Sequence, residues 1–382
     1  MSALMESLKT TDQGEGTPKP PAALSVQWLS QEQELEWEAF VLRHPLGTIY
    51  HTGEWKRLIE QAFSHIRGRF LVLREGDSGQ IHCGLPIYNV RSWLLGSRVV
   101  SVPFATVCDP LVTTLKEWDA LAPELERERI RTRSKKLEIR AVASAGPFPP
   151  SFGSKSRFIH HSLPLDADFG ALCKRLDKKS VRQKAEKARR AGVTILERSD
   201  IGGMLISHSL LAVNRRRLSL PPMPYHFFEA MQNNLRAEHL KIFLAYQNAK
   251  PVACHIVLIF KDKWISEYSG SADGVISGVN QLLYLETIRQ ACAQGAQKFS
   301  FGRSSIHNEG LLSYKRRWDT IEEKLTDFTL LRGPGSNTGV QVSSDVSPSE
   351  ESRLYTLCKR AIAKAPLPAC KVIGDFCYRH LG

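Results

Sequence analysis

One order of hydrophobic periodicities occurs twice in this chain, and that repetition narrows its folds more than any other feature. In the first copy, Trp55, Leu58, Ile59 and Ala62 fall at helical spacing, with Thr52 placed to cap the helix. The strands Arg69–Leu73, Ile81–Val90 and Arg98–Phe104 follow. A helix from about Lys116 to Arg131 and a strand Leu137–Val142 close the unit. In the second copy a helix starts at Tyr225. Strands Lys241–Tyr246, Val252–Phe260 and Trp264–Ser269 come next. A helix Gln281–Gln294 then places Leu282, Leu285, Ile288 and Cys292 on one side and stops at Gly295, and Lys298–Phe301 is the closing strand. Both copies read α-β-β-β-α-β. The expected fold class is α/β of the α+β type: two tandem modules, each with a mixed sheet flanked by helices.

The flanks complete the layout. Residues 1–25 are polar and rich in Gly and Pro and read as a disordered tail. The modules take 26–160 and 161–331, and a Gly/Ser/Pro-rich linker runs over 332–351. Residues 352–382 form a helical tail, with helices expected at Arg353–Lys364 and Cys370–His380. The tail is open to two readings, packing on the core or lying on a membrane surface, and it is the candidate for any peripheral membrane contact. No apolar signal core and no apolar run near ~20 residues is present, so a cytoplasmic protein is expected.

Charge enters the argument through its position. The chain has 52 Lys+Arg against 39 Asp+Glu, a net +13. Ten basic and three acidic residues lie between Lys174 and Arg198, so +7 of the excess sits in one segment between the modules. It reads as a helix from Asp177 to Gly192, and its Arg182 and Lys187 suit phosphate groups, since such cations neutralise phosphates without reading sequence. Phosphate-bearing donor and acceptor substrates are therefore the expected partners, with tRNA among them. A non-catalytic nucleic-acid-binding protein is the alternative, although no RRM, KH, helix-turn-helix or zinc-finger pattern occurs. C-x-x-C, H-E-x-x-H, G-x-S-x-G and the Walker motif are all missing, which argues against structural zinc, metalloprotease, α/β-hydrolase and P-loop chemistry.

The segment Tyr268–Thr320 carries the most specific pattern. Gly278, Asn280, Leu283, Tyr284, Glu286 and Ile288 are followed by Phe301–Ser304 and then by Tyr314, Lys315 and Trp318. This stretch resembles the C-terminal half of FemAB-like proteins, the double-GNAT acyl and aminoacyl transferases that include BioF2-like acetyltransferase domains. Lys179, Val181, Arg182, Lys187 and Ala188 in the basic segment are similar to the same family. So are Ile49–Trp55 and Ser101–Thr106 in the first module. The resemblance spans about residues 26–331. Two departures stand out: Cys108–Asp109 replaces a Gly-Gly pair before Pro110, and the Q/R-x-x-G-x-G/A pyrophosphate signature is missing.

The resemblance implies tandem GNAT-like modules and N-acyl transfer from acyl-CoA or aminoacyl-tRNA to an amine on a cell-envelope or exopolysaccharide precursor. It implies no tightly bound cofactor and no metal. Lys315 is the first catalytic candidate, because in the family a Lys at this motif position is associated with the activated donor. Its ammonium would stabilise a phosphate, an oxyanion or a leaving oxygen. Arg303 can fork onto phosphate or carboxylate, and Gly302 before it would permit close backbone approach. Glu267 would take a proton from the attacking amine or pair with Arg303. Tyr268, Asn280, Tyr284, Ser304, Tyr314 and Trp318 are candidate substrate contacts around these groups, with Asn280 also suited to capping its helix. Trp55 and Phe104 are candidate contacts from the first module. Of the histidines near these motifs, His51, His82 and His307, none is placed by a signature.

Overall fold

The computed structural model describes residues 24–76, 79–142, 146–330, 357, 359–362 and 364–380. The expected linker, half of the first tail helix and all of the N-terminal tail but Leu24 and Ser25 lie outside these residues.

The N-terminal half contains β1 (Leu24–Trp28), α1 (Glu34–Arg43), α2 (Gly53–Ala62), β2 (Ile66–Glu75), β3 (Ile81–Ser92), β4 (Gly96–Val100), α3 (Leu115–Arg131) and β5 (Leu137–Val142). The long β6 (Phe152–Pro164) leads into the second half. There follow α4 (Phe169–Arg175), α5 (Gln183–Arg190), β7 (Thr194–Glu197), α6 (Ile201–Arg217), α7 (Tyr225–Asn234), β8 (Leu240–Gln247), β9 (Lys250–Phe260) and β10 (Lys263–Ser271). The chain then forms α8 (Val279–Ala293), β11 (Lys298–Ser305), α9 (Glu309–Arg316), β12 (Ile321–Leu330) and α10 (Leu367–Tyr378). Both expected α-β-β-β-α-β units are present, as α2 to β5 and as α7 to β11.

The sheets of the two units join into one sheet of twelve strands, in the order β1-β2-β3-β4-β5-β12-β6-β11-β10-β9-β8-β7. The list reads the same way from either end: β1 matches β7, β2 matches β8, and so on inward. Each half has one parallel pair, β4 with β5 and β10 with β11, made possible by the crossover helices α3 and α8. At the centre the halves exchange strands. β6, which follows the first unit, pairs with β11 of the second. β12, which follows the second unit, pairs with β5 of the first. β6 and β12 then pair with each other over ten register positions. The expected module boundary at 160/161 thus falls in the middle of β6.

Local sequence explains the helices that frame this sheet. Thr52 accepts the Trp55 amide at 3.3 Å and starts α2, whose Trp55, Leu58 and Ile59 are completely buried. Each such side chain contributes roughly 1.5–3 kcal/mol through removal from water. Beside it, α7 puts Phe227 edge-on to Trp55, with ring centroids 6.5 Å apart. Arg236 and His239, just beyond α7, both engage Glu54 of α2. This face therefore locks the two halves together. On the opposite face of the second half, α5 and α8 cover the sheet through Ala185, Ala188, Leu283 and Ile288. A Cβ at Gly278, where α8 begins, would lie 1.9 Å from the Lys184 carbonyl, and its φ is 104°. Only glycine allows the basic helix and α8 to touch there.

The tail packs on the core. Arg215 donates to the Tyr378 hydroxyl at 3.1 Å, the Tyr378 ring lies against Phe104, and Ser92 and His380 hydrogen bond at 2.9 Å. Among the described residues no helix is long and apolar enough to cross a membrane.

Candidate functional site

The two parallel strand pairs are the places where the sheet opens. β10 and β11 pair through only three positions, ending at Ile265 opposite Ser300. Both strands continue beyond that point, to Ser271 and Ser305. They diverge into a wedge whose facing edges have no ladder partner in each other.

In the wedge, β10 carries a bulge between Ser266 and Tyr268. The extra residue is Glu267, and the bulge re-aims it. Tyr50 of the N-terminal half donates its hydroxyl to the Glu267 carboxylate. Burial is the main influence on Glu267 and raises its pKa to about 7, against the lowering effects of Tyr50 and the Arg303 charge. Tyr268 packs beside it, its ring 5.4 Å from Phe228. Below the bulge, Ser266 is fixed from behind. Its hydroxyl meets Tyr284 at 2.9 Å and His255 at 2.8 Å. Tyr284 stacks on Phe301 at 5.4 Å. It is a support for the wedge, one turn into α8.

On the β11 side, Gly302 has φ 68° and its nearest neighbour to an added Cβ would be Thr106 at 3.6 Å. The glycine is required by its left-handed backbone. Lys315 of α9 donates to the carbonyls of Gly302 and Arg303 at 3.2 and 3.1 Å. It is 6% exposed, and among the described residues no carboxylate lies within ion-pair distance. Its run of neighbours Lys-Arg-Arg suggests a surface cation, but that description fits only the exposed Arg316 and Arg317, with Arg316 paired to Glu322 and Glu309. Burial alone pulls Lys315 down to about 7. Arg303 of β11 leans over the neighbouring β6: its guanidinium lies 4.7 Å over the Phe158 ring. Burial, then the Arg140 charge, lowers it to about 10, and it stays charged at neutral pH. It makes no ion pair with Glu267 within 4 Å, so the expected alternative of a pairing is not what the structure builds.

The other candidates fall into three groups. Ser304 is buried and its Oγ has no hydrogen-bond partner among the described residues; the same holds for Asn280 Oδ1. Asn280 is the second residue of α8, and Gly278 takes the capping position expected for it. Tyr314 and Trp318 close the far side of Phe301, with Trp318 fully buried against its ring. Trp55 and Phe104 sit in the aromatic packing between the halves; Phe104 is 4.6 Å from Phe63. Arg182 and Lys187 lie apart from the wedge, on the outer face of the basic helix. A π-helical turn, Lys178–Arg182, starts that helix, and Arg182 donates to the Leu176 carbonyl.

In the N-terminal half the matching place is filled. Ser101 donates its amide to the Glu138 carbonyl at 2.9 Å and its hydroxyl accepts the Arg140 amide at 3.1 Å. Arg140 donates onward to the Ala105 carbonyl. Asp109, one of the two residues that depart from the family pattern, accepts the Val142 amide at 2.8 Å. The loop after β4 thus occupies the edge of β5.

Two similar modules with splayed parallel strands, joined side by side, define a tandem GNAT fold. A model of the acetyltransferase (GNAT) domain matches residues 175–316. FemX has a similar structure at a TM-score of 0.64 and 12% identity, over 81% of this chain and 97% of that one. A tandem GNAT protein from the clavulanic acid biosynthesis pathway matches at 0.51 and 10%, over 82% and 99%. The C-terminal domain of a putative lysylphosphatidylglycerol synthetase from Agrobacterium fabrum matches at 0.51 and 10%, over 79% and 92%. At these identities the likeness is one of fold. No curated protein matches the sequence.

Among the described residues no group of His, Cys, Asp and Glu is arranged to hold a metal ion. Sequence reading missed His160, Ser300 and Glu323, which meet from three separate strands. No motif links them, and only the β6, β11 and β12 register brings them together.

Proposed function

We propose that the chain is an N-acyltransferase whose activated donor lies in the wedge between β10 and β11 and whose acceptor is an amine. The observation that carries this is the wedge itself, with the Lys315 ammonium seated on two β11 carbonyls. Freed strand edges pair with an extended amide-bearing chain as an added strand would. The arm of acyl-CoA has that character; the aminoacyl end of a charged tRNA is an ester without an amide and would offer only its carbonyl and amino group there.

The chemistry follows from the two flanking groups. The amine nitrogen attacks the donor carbonyl and gives its proton to Glu267, a base tuned near neutrality. As the bond to the leaving thiolate or ribose oxygen breaks, Lys315 stabilises the charge and returns a proton. Arg303 holds an anionic part of either substrate. Alignment of the reactants in the wedge supplies several kcal/mol more. The basic helix, with Arg182 and Lys187, takes the phosphates. FemX and the lysylphosphatidylglycerol synthetase domain among the similar folds support a cell-envelope acceptor.

The test is amide formation followed by mass spectrometry, with CoA thioesters and aminoacyl-tRNA offered separately to an amine acceptor panel. Wild-type product with one donor class, abolished in Lys315→Ala at unchanged thermal stability, is expected. Full turnover by that variant overturns the assignment.

A further inference from the structure

A cavity of ≈ 170 Å³ lies where the halves meet, on the Tyr50 side of the sheet. Thr48, Tyr50 and Thr106 form its N-terminal wall. Opposite them, three strands present His160, Ser300 and Glu323. Ser300 Oγ is 2.9 Å from His160 Nε2. The Glu323 carboxylate is 3.5 Å from His160 Nδ1. The Gly302 amide donates to Ser300 Oγ at 3.1 Å.

We propose that this cavity is a second reactive site, in which Ser300 is a nucleophile, His160 its base and Glu323 the carboxylate that orients the base. Its substrates are small activated carboxylic esters or thioesters.

The directions of the bonds support the roles. The Gly302 amide occupies one Oγ lone pair, and the Ser300 hydroxyl donates to Nε2 in the tautomer that carries its proton on Nδ1. The Glu323 carboxylate favours that tautomer by its charge: Nδ1 is buried, makes no hydrogen bond among the described residues, and has Glu323 at 3.5 Å. Protonation of the ring in the reaction strengthens that contact, since a carboxylate attracts an imidazolium. Lys298 lies 3.7 Å from Glu323, on the same wall of the cavity. The groups sit on central strands, whose geometry is far better fixed than that of a loop. The cavity also contains the donors and walls a reaction needs: Lys263 and Lys298 face it as cations for a developing oxyanion, while Leu46, Val107 and Ile265 offer an apolar surface for an acyl chain.

The step balances. Ser300 Oγ bonds to the acyl carbon, and its proton goes to His160 Nε2. The bond from the acyl carbon to the leaving thiolate or alkoxide breaks, and His160 returns the proton to it. Water or an amine then cleaves the Ser300 ester through the same base, restoring the hydroxyl.

The full-length chain incubated with 4-nitrophenyl acetate tests this by intact mass and peptide mapping. One acetyl group on Ser300, released with an equivalent of 4-nitrophenolate, is expected. Ser300→Ala removes that ester, and His160→Gln slows its formation roughly 10²-fold. Acetylation confined to lysines, at the same rate in Ser300→Ala, overturns the proposal. Should Ser300→Ala melt below the wild type, Ser300→Cys replaces it: a hydroxylamine-labile thioester at that position supports the site, and its absence overturns it. The readout is the Ser300 ester and not amide product, so it stands or falls separately from the wedge.

Discussion

The two halves of the molecule have the same strand order, yet only one has an open parallel pair. In the C-terminal half, β10 and β11 diverge after Ile265 and Ser300, and Lys315 occupies the freed carbonyls. In the N-terminal half, the loop of Ser101, Ala105 and Asp109 folds back onto β5: Ser101 and Asp109 accept its Arg140 and Val142 amides, and Ala105 accepts from the Arg140 side chain. The same topology therefore serves as a receptor in one copy and as a self-filled brace in the other. What separates them is a short stretch of loop, because a strand edge left unpaired inside a protein costs the desolvation of each polar group unless something bonds to it.

The largest effect expected from this contrast is at Lys315. Lys315→Met keeps the chain length and apolar contact of the side chain but removes the donor. Turnover falls about 10²–10³-fold, the loss typical of one preorganised donor. Steady-state kinetics at matched thermal stability measure it, and a loss under tenfold would mean the wedge is no more than a second brace.

The pH profile sharpens the same point. Glu267 acts when ionised and Lys315 when protonated, and both sit at about 7. The plot of kcat/KM against pH is then a narrow bell near neutrality. In Lys315→Arg the guanidinium stays charged and the alkaline limb disappears, leaving only a rise to a plateau.

A third measurement examines the filled half. Burial raises the Asp109 carboxyl to about 6 from its ordinary 3.8. Its folded form binds the proton more tightly than its unfolded form, so stability is lost as pH rises through that interval. Asp109→Asn keeps an oxygen for the Val142 amide and removes the charge. It stabilises the protein at pH 7 by about 1–3 kcal/mol and has little effect at pH 3. Denaturant unfolding at the two pH values reads this difference. Equal shifts at both would show that the charge is not what strains the brace.

The smallest effect crosses between the halves. Tyr50→Phe withdraws the hydrogen bond that favours ionised Glu267. The acid limb of the bell moves to higher pH, with a loss of rate of only a few fold at neutrality, roughly the value of one charge-assisted hydrogen bond. An unmoved limb would separate Glu267 from the proton transfer.

Much of this arrangement is legible in the sequence. The helices α2, α3, α7 and α8 and eight of the strands follow from periodicity, because each buries one apolar face against the sheet. The central strands β6 and β12 do not. Segments such as Lys155–Arg157 and Glu322–Lys324 are polar where a central strand is usually apolar. They show no strand pattern because their outward positions pair charges: Asp327 holds Arg140 and Arg157. Where a motif spans the candidate site, as at Arg303 and Lys315, its residues could be named from the sequence. The burial of Lys315 was not, since a lysine in a basic run looks solvated until the strand that covers it is known. His160, Ser300 and Glu323 were out of reach altogether, because their proximity is created by strand register and by nothing local.

The exchange of β6 and β12 at the centre of the sheet also governs how the molecule comes to be. It is the arrangement that two copies of one module would reach by swapping their last strands, here written into a single chain. As synthesis proceeds from the N-terminus, the first module waits for residues 321–330 before its sheet is complete. Until then β5 offers an uncovered edge, the kind of edge that recruits foreign strands. A chain cut between its two modules would therefore yield two sticky fragments, each seeking the strand that the other still holds.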